Sequence, residues 1–418
     1  MTRMRRSSTG AASAALVVAA MLVALGGGSC ALVNALGSPE SDMRRDGSVV
    51  DDAQSMPPSD APNGPPVDGA PDTAPPDAFV SPPIPTGHNI VFVTSTEYDG
   101  NLGGLGGADA ACQSRAAFAG LPGTYVAWLS TPTVSAHSRI QGRGWVRRDG
   151  RPFVDTIADL EQSKMLYPVR LDEFGHDLGV KAVFTATLTD GTYNPNYSAD
   201  ACGGWRDASA TAVPAALGFT DAVGQRWTDA VNPINSPAMS CASMHPLYCF
   251  GISQTTPVVV QPESGWSAFL SDGQWTPSSG IGTADALCES ERAAHGLTGT
   301  FKAMLATTTA SPASRFPGVA MPWVRLDGIR LAPSPAEFFA RHLDAALNVT
   351  SRISYSTGFA VPVGTADWNQ PGRVETTCND WTDSTARLYL AEPTSTVETS
   401  AGSNLCDVHE PIFCLRAQ

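Results

Sequence analysis

The first dense apolar run is Ile90-Val91-Phe92-Val93, followed by Thr94-Ser95, and its β-branched and aromatic content predicts a strand. The pattern then changes to Gly106-Gly107-Ala108-Asp109-Ala110-Ala111-Cys112. This Ala-rich stretch, stopped by Gly120, predicts a short helix with its cysteine at mid-length and Asp109 in the first turn, where the macrodipole favours an acid. A second strand is expected at Thr124-Tyr125-Val126-Ala127-Trp128-Leu129-Ser130. The same order recurs as Gly282-Thr283-Ala284-Asp285-Ala286-Leu287-Cys288, Gly296 and Gly299-Thr300-Phe301, then Lys302-Ala303-Met304-Leu305. One constant offset separates every equivalent pair from Gly106 to Tyr125, which means a duplicated domain.

Further matched landmarks follow in each copy. Trp145-Val146-Arg147-Arg148-Asp149-Gly150 corresponds to Trp323-Val324-Arg325-Leu326-Asp327-Gly328, and Asp-Gly after a strand reads as a turn, so Asp149 and Asp327 are turn formers. Ser138-Arg139 corresponds to Ser314-Arg315. Cys202-Gly203-Gly204-Trp205-Arg206-Asp207 corresponds to Cys378-Asn379-Asp380-Trp381-Thr382-Asp383. Each copy closes with a cysteine pair, Cys241 and Cys249, then Cys406 and Cys414. A long aperiodic stretch rich in Gly, Pro, Asn, Asp and Thr precedes each mid-domain cysteine, and such length without regular structure is expected of a functional loop region.

The N-terminal part has a different pattern. Residues 1–29 begin with Arg3, Arg5 and Arg6, run apolar from Ala11 to Leu25 and end in small residues before Cys30, which is an export signal. Its end resembles a bacterial lipoprotein cleavage box, in which the cysteine becomes the acylated first residue, although Gly27 stands where an aliphatic residue is preferred. Residues 30–87 are rich in Pro, Asp, Ala and Ser and too poor in apolar residues to bury a core, so a disordered tether with extended polyproline character is expected. At about 3.1 Å per residue, the roughly 50 residues from Gly37 to Gly87 could hold the rest up to about 150 Å from an anchor. The resulting division is residues 88–252 for the first domain, 253–263 for a linker and 264–418 for the second.

The 418 residues carry 26 Lys and Arg against 40 Asp and Glu, a formal net charge of −14, which argues against nucleic acid or an anionic membrane surface as the main partner. The nine cysteines divide as Cys30 and four per copy, an arithmetic of one modified residue and paired disulfides that fits an oxidising, exported setting. Four cysteines permit three connectivities, and spacing does not choose among them.

The joint order of these motifs resembles the endostatin-like domains of bacterial surface lipoproteins, including those of spirochaetes, over nearly all of residues 88–252 and 264–418. The resemblance implies an α+β fold of two tandem C-type-lectin-like domains, each a mixed, mostly antiparallel sheet with flanking helices, long loops and two disulfides. It further implies Cys112 with Cys249, Cys202 with Cys241, Cys288 with Cys414 and Cys378 with Cys406. Trp205 and Trp381 would then be core residues on the inner disulfides.

The chemistry expected is recognition. No Gly-x-Ser-x-Gly elbow, phosphate loop or free cysteine paired with a histidine occurs, and the seven histidines lack zinc-site spacing. Catalytic residues, metal ligands and cofactors are therefore assigned as none. Asp190, Asn194, Asn196 and Asp200 could supply oxygens to calcium, but turn stabilisation is their commoner role and the lectin calcium motifs are not intact. The expected ligand surface is Tyr193, Asn194, Asn196, Tyr197 and Trp227 in the first domain and Asp367, Trp368, Asn369 and Gln370 in the second, where aromatic and amide groups diverge between matched frameworks. The resulting expectation is a lipid-anchored envelope protein, at the outer membrane or cell surface, binding an extracellular protein or polysaccharide for adhesion or recognition. Its alternatives are an envelope enzyme or enzyme accessory acting on glycans, and a purely structural envelope protein.

Overall fold

The structure, a computed structural model, describes residues 79–195, 200–209, 216–230, 240–358, 360–397 and 403–418. It is α+β, with several small, mostly antiparallel sheets, few helices and four disulfides. The export signal, Cys30 and most of the tether lie outside the described residues.

The first repeat contains β1 (Asn89–Val93), β2 (Tyr125–Ala127), β3 (Trp145–Val146), β4 (Pro152–Val154), β5 (Ala182–Phe184), β6 (Leu217–Phe219) and β7 (Tyr248–Gly251). Five of these form a sheet in the order β2-β7-β1-β3-β4, antiparallel except where β1 runs parallel to β3, while β5 and β6 pair separately. After Asn89, β1 is a run of four apolar residues, as expected of a strand buried on both faces. Ile90 and Phe92 enter the core that holds Cys112 and Trp205, whereas Val91 and Val93 enter a second core with Trp128, Trp145 and Trp227.

The second repeat contains β8 (Trp266–Leu270), β9 (Phe301–Ala303), β10 (Trp323–Arg325), β11 (Val361–Pro362), β12 (Arg387–Ala391), β13 (Ser403–Leu405) and β14 (Phe413–Arg416). Its main sheet, β10-β8-β14-β9, reproduces the order and directions of β3-β1-β7-β2. In each repeat the first and last strands are therefore neighbours. The helices are α1 (Leu105–Phe118), α2 (Ala136–Arg139), α3 (Ile157–Glu161), α4 (Ile281–Ala294) and α5 (Pro335–Phe339).

α1 and α4 end where the sequence says they should, at Gly120 and Gly296 in the left-handed region. Asp109 and Asp285, however, lie beyond the first helical turn. Each carboxylate instead docks its helix onto the next strand: Asp109 accepts from Ala127 N at 2.9 Å and Asp285 from Ala303 N at 2.9 Å, and each also holds the matched arginine, Arg139 or Arg315. Asp149 and Asp327 do sit in the turns after β3 and β10, where they also take ion pairs from Arg147 and Arg325 at 2.6 Å.

The disulfides are Cys112–Cys249, Cys202–Cys241, Cys288–Cys414 and Cys378–Cys406, the pairing implied by the family resemblance. The outer bridge of each repeat joins its long helix to its last strand. Each inner bridge begins in a left-handed helical turn, with φ from 45° to 67° at Ala201, Cys202, Gly203, Gly204 and Trp205 and from 52° to 66° at Cys378, Asn379, Asp380 and Trp381. Such a turn costs about 1–2 kcal/mol per non-glycine residue. It is fixed by the bridge and by a buried tryptophan whose indole N–H donates to a carbonyl, Trp205 to Ser130 at 2.9 Å and Trp381 to Ala306 at 2.7 Å.

The repeats do not behave as beads on a linker, because the described chain belongs to one compact unit. Ala222 bridges Ser395, Val223 N donates to Thr394 O at 2.8 Å and Thr396 N to Asp221 O at 3.0 Å, joining the segment after β6 to that after β12. Arg226 pairs with buried Glu392 at 2.6 Å and Arg151 with Asp344 at 2.7 Å. The linker expected at 253–263 fills part of the seam: Val258 and Val260 pack against Leu166, Tyr167, Ile329 and Ala345. Where the first repeat begins and ends, the Asn89 amide donates to Arg143 O and Gln254 O at 2.8 Å each, and its oxygen accepts from Gln254 N at 2.9 Å. The last tether residues are also built in, since Phe79 stacks on His176, Pro83 O accepts from Arg148 at 3.0 Å and Ile84 packs on the core.

Candidate functional site

The structure divides the residues expected to bind ligand. Trp227 is fully buried, its ring 5.0 Å from Trp128, 5.1 Å from Tyr248 and 5.4 Å from Phe153. Trp368 is also buried, 5.3 Å from Phe338. Both correct the expectation of surface indoles, because the aperiodic segments that carry them turn inward to supply core that the short strands cannot. Asn194 is interior too, donating to Asp229 at 2.7 Å. Burial raises the Asp229 pKa, and bonds from Gln225 and Asn194 only partly offset it. Tyr193 is half-buried against the first-repeat core. Asn196 and Tyr197 lie outside the described residues.

Asp367, Asn369 and Gln370 are exposed. They form a tight turn in which Asp367 Oδ1 accepts from Asn369 N at 2.9 Å, and the Asn369 amide ties the turn to Phe339 O at 3.0 Å. The oxygens considered for calcium are similarly engaged: Asp190 takes both the amide and hydroxyl of Thr192, and Asp200 caps Gly203 N at 3.1 Å. Among the described residues no group of three or more His, Cys, Asp or Glu could hold a metal ion.

An open cleft lies elsewhere. It measures about 610 Å³ and lies between the repeats, lined by Asp155, Asp159, Gln162, Lys164 and Leu166 of the first, Asp327, Ile353, Ser354 and Tyr355 of the second, and Val258 and Val260 of the linker. α3 positions Asp159: Thr156 caps it at 3.0 Å, and Lys164 reaches the carboxylate at 3.2 Å. Burial pushes the Asp159 pKa up, but bonds from Thr156 and Lys164 more than compensate and leave it lowered. Asp155 is held by Arg143 and accepts from Val258 N at 2.8 Å, which fixes the linker to the first repeat.

In the second repeat, the Tyr355 hydroxyl donates to Asp327 Oδ2 at 2.8 Å. Burial and the Asp327 charge raise the phenol pKa, so Tyr355 stays protonated at physiological pH. Ile353 has φ 60° and is 54% exposed. A β-branched residue there costs about 1–3 kcal/mol, and such strain clusters at binding sites.

Sequence reasoning missed this cleft because its parts come from α3, the linker and a turn near residue 354. The one legible hint was Asp327, which was assigned to its turn.

His137 pairs with Glu161, His176 with Asp172 at 2.9 Å and His342 with Glu337 at 2.6 Å, while His409 contacts the Thr276 hydroxyl at 2.8 Å. Among the described residues none of these joins a hydroxyl, an imidazole and a carboxylate in one chain of bonds. The four disulfides are those of an oxidising, exported environment. No described helix is long and apolar enough to cross a membrane. Compared with protein-family models and with curated proteins, the chain matches none.

Proposed function

We propose that this is an exported, lipid-anchored recognition protein whose two endostatin-like, C-type-lectin-like repeats bind an extracellular protein or polysaccharide for adhesion. The observation carrying this reading is the open cleft of about 610 Å³ between two disulfide-stapled repeats, a volume typical of ligand sites. Fusion of the repeats through strand, ion-pair and linker contacts lowers the ordering cost that binding between separate domains would incur. Acylation of Cys30 would fix the chain to a membrane, with the Pro- and Asp-rich segment as spacer.

The test is an array of glycans and extracellular proteins probed with the full chain. Reproducible binding to a defined class is expected, and binding to none overturns the recognition reading. The anchor is tested separately by Cys30→Ala, which should release the protein from membranes. A variant that stays membrane-bound refutes acylation.

A further inference from the structure

Each carboxylate lining the inter-repeat cleft already has a cation: Asp155 has Arg143, Asp159 has Lys164 and Asp327 has Arg325. The formal charge of these pairs is zero. A polyanion entering the cleft meets three carboxylates, while a polycation gains no unpaired acid.

What remains open is neutral hydrogen-bonding capacity. The Gln162 amide and Ser354 hydroxyl, one from each repeat, line the cleft, exposed and without a side-chain hydrogen bond among the described residues. Lys164 has donors beyond its bond to Asp159, and the paired carboxylates keep lone pairs. Leu166, Val258 and Val260 add aliphatic lining. Donors and acceptors beside aliphatic lining suit a ligand whose every substituent both donates and accepts and whose ring faces are C–H surfaces.

We propose that the cleft binds a short neutral polyhydroxylated chain, an uncharged oligosaccharide, without calcium. The inference rests on the recognition reading but moves the site from the loops beside the mid-domain cysteines to the junction of the repeats.

The experiment is calorimetric titration of the full chain, in EDTA, with maltotriose, cellotriose, mannotriose, xylotriose and chitotriose. A hyaluronan tetrasaccharide, a heparin tetrasaccharide and an oligolysine peptide serve as charged probes. The cleft variant is Gln162→Ala with Ser354→Ala, and the loop variant is Asp367→Ala with Asn369→Ala. Both change exposed side chains, and their melting temperatures are measured alongside. At least one neutral trisaccharide should bind, weakening about tenfold in the cleft variant and remaining unchanged in the loop variant. Neutral binding lost only in the loop variant overturns the cleft assignment and leaves recognition standing. Binding confined to a charged probe overturns the ligand class and likewise leaves recognition standing. No binding to any probe overturns this inference, and recognition itself falls only if the array is also empty.

Discussion

Gly204→Ala isolates the cost of the left-handed turn that starts each inner disulfide. Gly204 has φ 67° and ψ 37°, and a Cβ built there meets nothing closer than Arg206 Nη1 at 4.0 Å. The substitution therefore adds no clash and changes only backbone preference. Holding alanine in this region costs about 1–2 kcal/mol. Losing glycine's freedom in the unfolded chain returns about 0.4–1 kcal/mol. The net expectation is destabilisation by about 1 kcal/mol, or a fall in melting temperature of about 2 °C for a unit of this size. Gly106→Ala is the matched control: its Cβ is also unobstructed, but the residue lies in right-handed α1, where alanine stabilises by about 0.5 kcal/mol. Scanning calorimetry of both variants should give shifts of opposite sign. If Gly204→Ala melts at or above the parent temperature, the turn is not left-handed in the folded protein and the account of the Cys-x-x-Trp motif fails.

Other perturbations follow from the same structure. Replacing Cys112 and Cys249 with alanine opens a bridge of sequence separation 137 and should destabilise by about 5 kcal/mol, read by denaturant unfolding without reductant. Arg226→Ala leaves Glu392 buried without its cation and should cost about 3 kcal/mol, with increased proteolysis at the seam; unchanged stability would remove this ion pair from the account of repeat fusion. Asp327 is buried, which raises its pKa, but Arg325 and Tyr355 more than offset this, so its folded value lies below the unfolded one. Its contribution is thus present above about pH 4 and is lost as the pH falls through that value towards the folded pKa. Asp327→Asn should cost about 3 kcal/mol at pH 7 and flatten the acid limb of a melting-temperature profile, whereas a profile parallel to the parent would refute the linkage.

The framework was legible because it follows from local chemistry. β1 shows itself through four consecutive apolar residues, and the long helices through small residues closed by a left-handed glycine. Asp109 and Asp285 were legible as conserved partners of the two-copy pattern but misassigned to the helix dipole, since their ligands lie on a strand and an arginine further along the chain. Trp227 and Trp368 misled for a related reason: an aperiodic segment need not be exposed when disulfides and indoles order it. Gly203-Gly204 hints at left-handed backbone in the first repeat, while Asn379-Asp380 hides the same geometry in the second. Apart from Asp327, which reads as a turn residue, the cleft had no sequence signature, because separate segments form it only once the repeats pack.

The clasp around Asn89 has a mechanical consequence. β1 and β7 are antiparallel neighbours inside the sheet, so the chain enters and leaves the first repeat at the same end of the sheet. Tension between the N-terminal segment and the second repeat would first meet the contacts of Phe79, Pro83, Ile84 and Val258, and then the three hydrogen bonds of Asn89 to Arg143 and Gln254, before it peels these strands apart one pair at a time. If these contacts give way, peeling proceeds only until the chain draws taut across Cys112–Cys249. The residues between those cysteines, which include the inner disulfide, are bypassed by the pull, so tension applied to the ends can lengthen the chain by the strands outside that loop but cannot extend the loop itself.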